Sequence, residues 1–175
     1  KDVSKFLFIK NKILTPKYIK YSFKKKMNKS KLIKYCSKKL GFPVVIKPLN
    51  EGSSVNVHIC NHRNIYKNIH KLRDYGEILI EKYIPGREIQ VAILREKILG
   101  AIELKPKRKF YDYEAKYNSK AKTKHIIPVD LKKKDYNQLM NLAFKATAST
   151  LFKYFSFIFT GIICSVLAFG LYLAS

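Results

Sequence analysis

The sequence predicts an α+β fold built on antiparallel sheet. Three observations point there. Apolar runs at 44–46, 78–83, 88–94 and 98–104 have strand length and are joined mostly by short turns, not by ten-residue helical crossovers. Segments 28–40, 61–72 and 130–146 carry apolar residues at helical spacing among lysines and polar residues. After Ala146 the character changes abruptly, and residues 154–174 form 21 positions without a charge.

Taken in order, residues 1–11 place Phe6, Leu7 and Ile9 among lysines, a short amphipathic helix. Residues 14–21 alternate enough for a strand, with Pro16 near its start, where a proline is tolerated. Asn28 or Ser30 caps a second helix, which Gly41 and the Phe42-Pro43 pair end at Leu40. A buried strand follows at 44–46, then a loop and a partner strand over 55–60. Asn61 is the expected N-cap of a helix running to Leu72, with Ile65, Ile69 and Leu72 on one face. The runs from 78, 88 and 98 read as an antiparallel meander, with turns at Pro85-Gly86 and at 95–97. Residues 105–124 form a polar, aromatic-bearing loop too long to be idle in a compact domain. A helix from Asp130 to about Ala146 turns Leu139, Leu142 and Ala143 inward. The uncharged stretch 154–174 is long enough to cross a hydrocarbon core of ~30 Å as a helix. Lys153 and the basic run 132–134 before it would favour a cytoplasmic N-terminal side. A buried helix and an out-of-frame translation are the other readings of this tail.

The 175 residues, 47% hydrophobic, allow a real core. A net charge of +24 invites a nucleic-acid reading. Against it, only five of 36 basic residues are arginine, and the lysines are spread along 1–134 without a compact patch. Abundant Lys, Asn, Ile, Phe and Tyr are what AT-rich codons supply, and lysine then fills any tolerant surface. Cys36, Cys60 and Cys164 show no disulfide spacing, which fits a reducing compartment. His58, Cys60 and His62 alternate as metal ligands on one strand face would, but no fourth ligand is near.

Three stretches carry chemistry. GFPVVIKPLNEGSS at 41–54 brings Lys47 to the end of an apolar strand. A proline stops the pairing, and a loop of small residues then exposes Ser53 and Ser54. A point charge beside successive backbone N–H groups suits phosphate. The order is wrong for a Walker A loop, because the lysine precedes the glycine. ILIEKYIPGRE at 78–88 ends a strand in Glu81 and returns Glu88 after a tight turn. Two carboxylates so placed can accept from an amino group or from ribose hydroxyls, although an ordinary hairpin with solvated charges looks the same. FYDYEAKY at 110–117 packs three tyrosines, two acids and a lysine into one loop.

In this order and spacing the three stretches resemble the D-alanine–D-alanine ligase family, of the ATP-grasp fold. The resemblance covers roughly residues 1–146. The family's lysine strand and E-G-S-S-V-G loop match VIK at 45–47 and EGSSVN at 51–56, its adenine hinge matches EKYI at 81–84, and its G-x-E turn matches GRE at 86–88. FYDYEAKY is present without change, Ile127-Pro128 resembles the segment that follows it, and Lys1, Lys5 and Phe8 resemble the family's D-K-x-x-x-K-x-x-F helix.

The resemblance implies residues 1–25 as linker and start of the grasp domain, 26–94 as nucleotide-binding subdomain, and 95–146 as start of the central subdomain with its lid loop. Residues 147–175 then form an apolar helical tail. Lys1 and Lys47 would contact ATP phosphates, with Ser53 in the loop above them. Glu81 would accept from the adenine amino group, with the Lys82 and Ile84 backbone at the purine and Glu88 on the ribose. Lys116 would reach the terminal phosphates, and Ser54 would pair with Tyr117 when the lid shuts. The implied chemistry phosphorylates one D-alanine and joins it to a second, as a cytoplasmic step in peptidoglycan precursor synthesis by a usually homodimeric enzyme.

The departures also carry implications. Asn56 stands where the family has glycine, and asparagine tolerates left-handed backbone better than most residues. The family's N-terminal substrate domain and the C-terminal segment with its Mg2+ carboxylates have no counterpart in 1–175, and residues 151–175 hold no Asp or Glu. The expectation is nucleotide binding without dipeptide synthesis by this chain alone. A decayed or membrane-anchored nucleotide-binding remnant and a basic nucleic-acid module are the alternatives.

Overall fold

The computed structural model describes residues 1–25, 27–94, 96–105, 123–154 and 165–171, with side chains as far as Ser149. The chain divides into two compact units, Lys1–Val3 with Thr15–Ile84, and Ser4–Leu14 with Pro85–Ser175. Helix α1 (Asp2–Lys10) contributes to both.

The first unit is a four-stranded sheet in the order β1-β4-β2-β3, comprising β1 (Tyr18–Ser22), β4 (Glu77–Lys82), β2 (Val44–Pro48) and β3 (His58–Cys60), with every neighbouring pair antiparallel. Directly paired residues share a face, so the register sorts the side chains. One face carries Ile19, Tyr21, Val44, Ile46, Cys60, Ile78 and Ile80. Helices α2 (Lys29–Leu40) and α3 (Ile65–Lys71) cover it with Leu32, Cys36, Leu40, Ile65 and Ile69, giving one apolar core. Burial lifts the Cys36 thiol to about 11, so it stays protonated and behaves as a small hydrophobe.

Local signals fix the helix ends. Asn28 caps α2, its side chain accepting from the Lys31 N–H at 2.9 Å. Gly41, at φ 71°, closes it by donating to the Cys36 and Ser37 carbonyls, a conformation for which glycine pays no Cβ penalty. Asn28→Ala should lower stability by about 1 kcal/mol, read as a reduced urea midpoint with an unchanged slope. The third helix begins later than Asn61. Asn61 instead opens a turn: its side chain accepts from Arg63 N at 2.9 Å and Asn64 N at 3.2 Å, while Asn64 Oδ1 accepts from Asn61 N at 2.8 Å. A 3-10 turn, Arg73–Tyr75, then leads through Gly76 into β4.

The expected meander forms only in its second half, where the runs from 88 and 98 pair antiparallel. β4 has both edges occupied, by β1 and β2, so it has none left for the strand that follows. The second unit therefore starts a new antiparallel sheet after Pro85-Gly86. Its order is β7-β6-β5-β8, from β7 (Lys124–Ile126), β6 (Lys97–Lys105), β5 (Arg87–Leu94) and β8 (Ser165–Leu171). Ile89, Val91 and Ile93 pack with Leu139, Met140 and Ala143 of α4 (Lys133–Tyr154) and with Val129.

The tail also departs from expectation. α4 continues past Ala146 to Tyr154, and residues 165–171 pair with β5 from Arg87↔Leu171 to Ile93↔Ser165 in place of a helix. Val and Phe favour strands, an uncharged run has no periodicity to distinguish buried strand from helix, and the β5 edge supplies backbone groups that need partners. Among the described residues no helix is long and apolar enough to cross a membrane.

Candidate nucleotide site

The sheet face opposite α2 and α3 carries Lys47 and Glu81. Val45 pairs with Glu81 and Lys47 with Leu79, which puts Lys47 and Glu81 on one face of neighbouring strands, diagonal to each other. Tyr18 and Lys20 of β1 share that face by register. Lys47 Nζ donates to Glu81 Oε1 in a close ion pair, with side-chain exposures of 22% and 9%.

β2 loses β3 after Ile46, and Pro48, which has no N–H, ends the strand. The chain then enters the loop predicted to hold phosphate. Ser53, Ser54 and Asn56 take φ of 47°, 60° and 53°. The Val55 N–H donates to the Gly52 carbonyl at 2.9 Å, closing a turn with both central residues at positive φ. A second turn, Val57 N–H to Ser54 carbonyl at 3.3 Å, contains Asn56. The asparagine thus takes the left-handed backbone expected of it, and its Nδ2 donates to the Tyr75 hydroxyl at 2.7 Å.

Lys1 reaches the same loop. Its ammonium donates to the Pro48 carbonyl at 2.7 Å, to Leu49 at 3.2 Å and, closely, to Glu51. Its pKa is lowered, first by burial and then by the Lys47 charge, with Glu51 and Glu81 opposing. Two lysines are therefore gathered where the loop leaves the sheet. Lys20 bridges Asp2 (3.3 Å) and Glu77 (2.9 Å), tying the first residues of the chain to this face.

Of the other predicted residues, Lys82 ends β4, its side chain exposed and its backbone N–H donating to the Lys17 carbonyl at 2.9 Å. Ile84 is the last residue of the first unit, and Glu88 lies on β5 in the second. Glu88 pairs with Leu104, on the sheet face away from α4. Lys116, Tyr117 and the FYDYEAKY string lie outside the described residues. His58 and Cys60 sit on β3, where Cys60 is fully buried and its sulfur accepts from Asn68 Nδ2 at 3.5 Å.

Two features were missed. The Asn56–Tyr75 bond joins residues 19 apart and left no local signal. Arg87, one residue before Glu88, forks onto Glu103 through Nε (2.8 Å) and a terminal nitrogen (2.6 Å), and reaches the Asp130 carbonyl at 2.8 Å. A lone acid inside the apolar run of β6 was the available clue to Glu103.

The family model described as D-ala D-ala ligase C-terminus matches residues 7–156. The D-alanine--D-alanine ligase of Pelagibacter ubique (strain HTCC1062) is 64% identical over 143 residues, covering 82% of this chain and 46% of that protein. That of Pseudothermotoga lettingae is 47% identical over 111 residues, covering 61% and 37%. A crystal structure of D-alanine--D-alanine ligase from Bacillus anthracis superposes with a TM-score of 0.68 at 30% identity, over 85% of this chain and 47% of that one. The chain spans less than half the length of each of these relatives. With a single family model matching most of its residues and a curated relative almost two-thirds identical, this chain belongs to the D-ala D-ala ligase C-terminus family.

Proposed function

We propose that this chain supplies the ATP-binding part of an ATP-grasp ligase that joins two D-alanines for peptidoglycan precursors. The observation that carries the reading is the Lys47–Glu81 pair beside the left-handed loop 53–56, in a chain of this family. Lys47 and Lys1 hold ATP phosphates, and the Ser53 and Ser54 loop lies over them. Glu81 accepts from the adenine amino group, the Lys82 and Ile84 backbone borders the purine, and Glu88 holds the ribose hydroxyls.

In the whole protein the γ-phosphoryl group passes to the carboxylate of the first D-alanine, leaving ADP and an acyl phosphate. The second amino group attacks the carbonyl carbon, the bond to phosphate breaks, and the amine proton is released. Positioned lysines suit this because charge gathers on the phosphoryl oxygens. Lys116 belongs to the lid that closes over these phosphates, with Tyr117 pairing to Ser54 and water kept from the acyl phosphate. Among the described residues no group of three or more His, Cys, Asp or Glu side chains could hold a metal ion. Because the chain spans under half of its relatives, dipeptide synthesis is proposed for the whole protein and nucleotide binding for these residues.

Base selectivity tests the assignment. A carboxylate only accepts, so it welcomes the C6 amino group of adenine and repels the C6 carbonyl of guanine. The chain should bind ATP at least tenfold more tightly than GTP in a calorimetric titration, a gap of about 1.4 kcal/mol. Glu81→Gln should narrow that gap. Equal affinity for the two nucleotides would remove the adenine role from Glu81.

A further inference from the structure

We infer that Tyr75 is a positioning residue for the phosphate loop, acting through Asn56; this rests on the nucleotide reading above. A loop with three non-glycine residues at positive φ within four positions is held in an arrangement that free chain visits rarely. Something has to hold it. The two turn bonds fix Gly52–Val55 and Ser54–Val57 internally, but they do not fix the loop against the sheet. Lys1 holds the entry to the loop through the Glu51 carbonyl, and the Asn56 Nδ2–Tyr75 hydroxyl bond, 2.7 Å, holds its far end.

Tyr75 is a firm anchor. Its N–H donates to the Leu72 carbonyl at 3.2 Å, and Leu72 is fully buried in the α2–α3 core. The next residue, Gly76, at φ 68°, accepts from the Phe23 N–H at 3.0 Å as β4 begins. The tyrosine is thus tied to the sheet; the residue is more than a third exposed, and its hydroxyl accepts from Asn56 of the loop. A glycine at 56 would accept the same backbone with less strain but would have no side chain to tether. Asparagine accepts moderate strain and provides the tether. The geometry therefore assigns the Asn56–Tyr75 pair the task of holding the Ser53 and Ser54 N–H groups in place before phosphate arrives, which lowers the ordering cost of binding.

The experiment compares the 175-residue chain with Tyr75→Phe, Asn56→Gly and the double variant, titrated separately with ATP, inorganic tripolyphosphate and adenosine. Tyr75→Phe keeps the ring and removes one hydroxyl. It should weaken ATP and tripolyphosphate about fivefold and leave adenosine unchanged, a split that general destabilisation would not produce. Asn56→Gly should show the same split, and the double variant should be no weaker than the weaker single variant. Unchanged tripolyphosphate affinity in Tyr75→Phe, additive losses, or equal losses for adenosine would overturn the positioning role alone. No ATP binding by the unsubstituted chain would overturn the nucleotide reading, and this role with it.

Discussion

Lys47→Met should abolish measurable ATP binding and also destabilise the first unit. The two effects have separate causes. The lost cation removes a charge-assisted contact to phosphate, worth about 2–3 kcal/mol, or roughly 30- to 150-fold in affinity. The stability loss comes from Glu81, which is 7% exposed and would lose the cation held against it. Breaking a buried pair from one side typically costs about 3–5 kcal/mol, and the partial exposure of Lys47 puts the expectation near the lower end. Adding Glu81→Gln separates the causes. The double variant should recover most of the lost urea midpoint, because a neutral amide is much cheaper to bury, yet it should still fail to bind ATP. Recovery of binding together with stability would mean that Lys47 acts only as the counter-ion of Glu81.

Arg87→Met should destabilise the second unit by about 2 kcal/mol, since Glu103 is buried while the arginine retains some solvent screening. The loss should depend on pH. Arg87 hydrogen bonds hold the Glu103 carboxyl below its usual range, burial opposing. A depressed acid contributes its stability in full above the unfolded value of about 4.3 and loses it as pH falls through the lower folded value. The gap between wild type and Arg87→Met should therefore be widest near neutral pH and shrink below about pH 4. Urea unfolding at pH 7 and pH 3 checks this. A gap independent of pH would show that Arg87 stabilises through packing and the Asp130 carbonyl alone.

Legibility in the sequence followed the range of the forces. Asn28 and Gly41 are local signals, and both mark the ends of α2 as expected. Lys47 after an apolar run is local too, and the strand ends one residue beyond it, at Pro48. Pairing is not local. The runs from 78 and 88 both read as strands, but whether they neighbour each other depended on β1 and β2 filling both edges of β4. The uncharged tail failed for a related reason, because a run without polar residues has no face to reveal its period. At the site, Lys47 and Glu81 were each identifiable from their strand ends. That they would meet follows only from the diagonal register of β2 and β4. Tyr75 was invisible, since nothing in Asp74-Tyr75-Gly76 says where a hydroxyl will point.

The most direct test of the nucleotide face is an ATP titration of the isotopically labelled chain, followed by backbone amide shifts. Saturating shifts concentrated at Lys47, residues 52–56 and residues 81–84 are the predicted result. Gradual, unsaturated shifts on the lysine-rich surface of α2, around Lys34 and Lys38, with 52–56 and 81–84 unmoved, would contradict it. They would mean that the +24 charge attracts ATP without a built site.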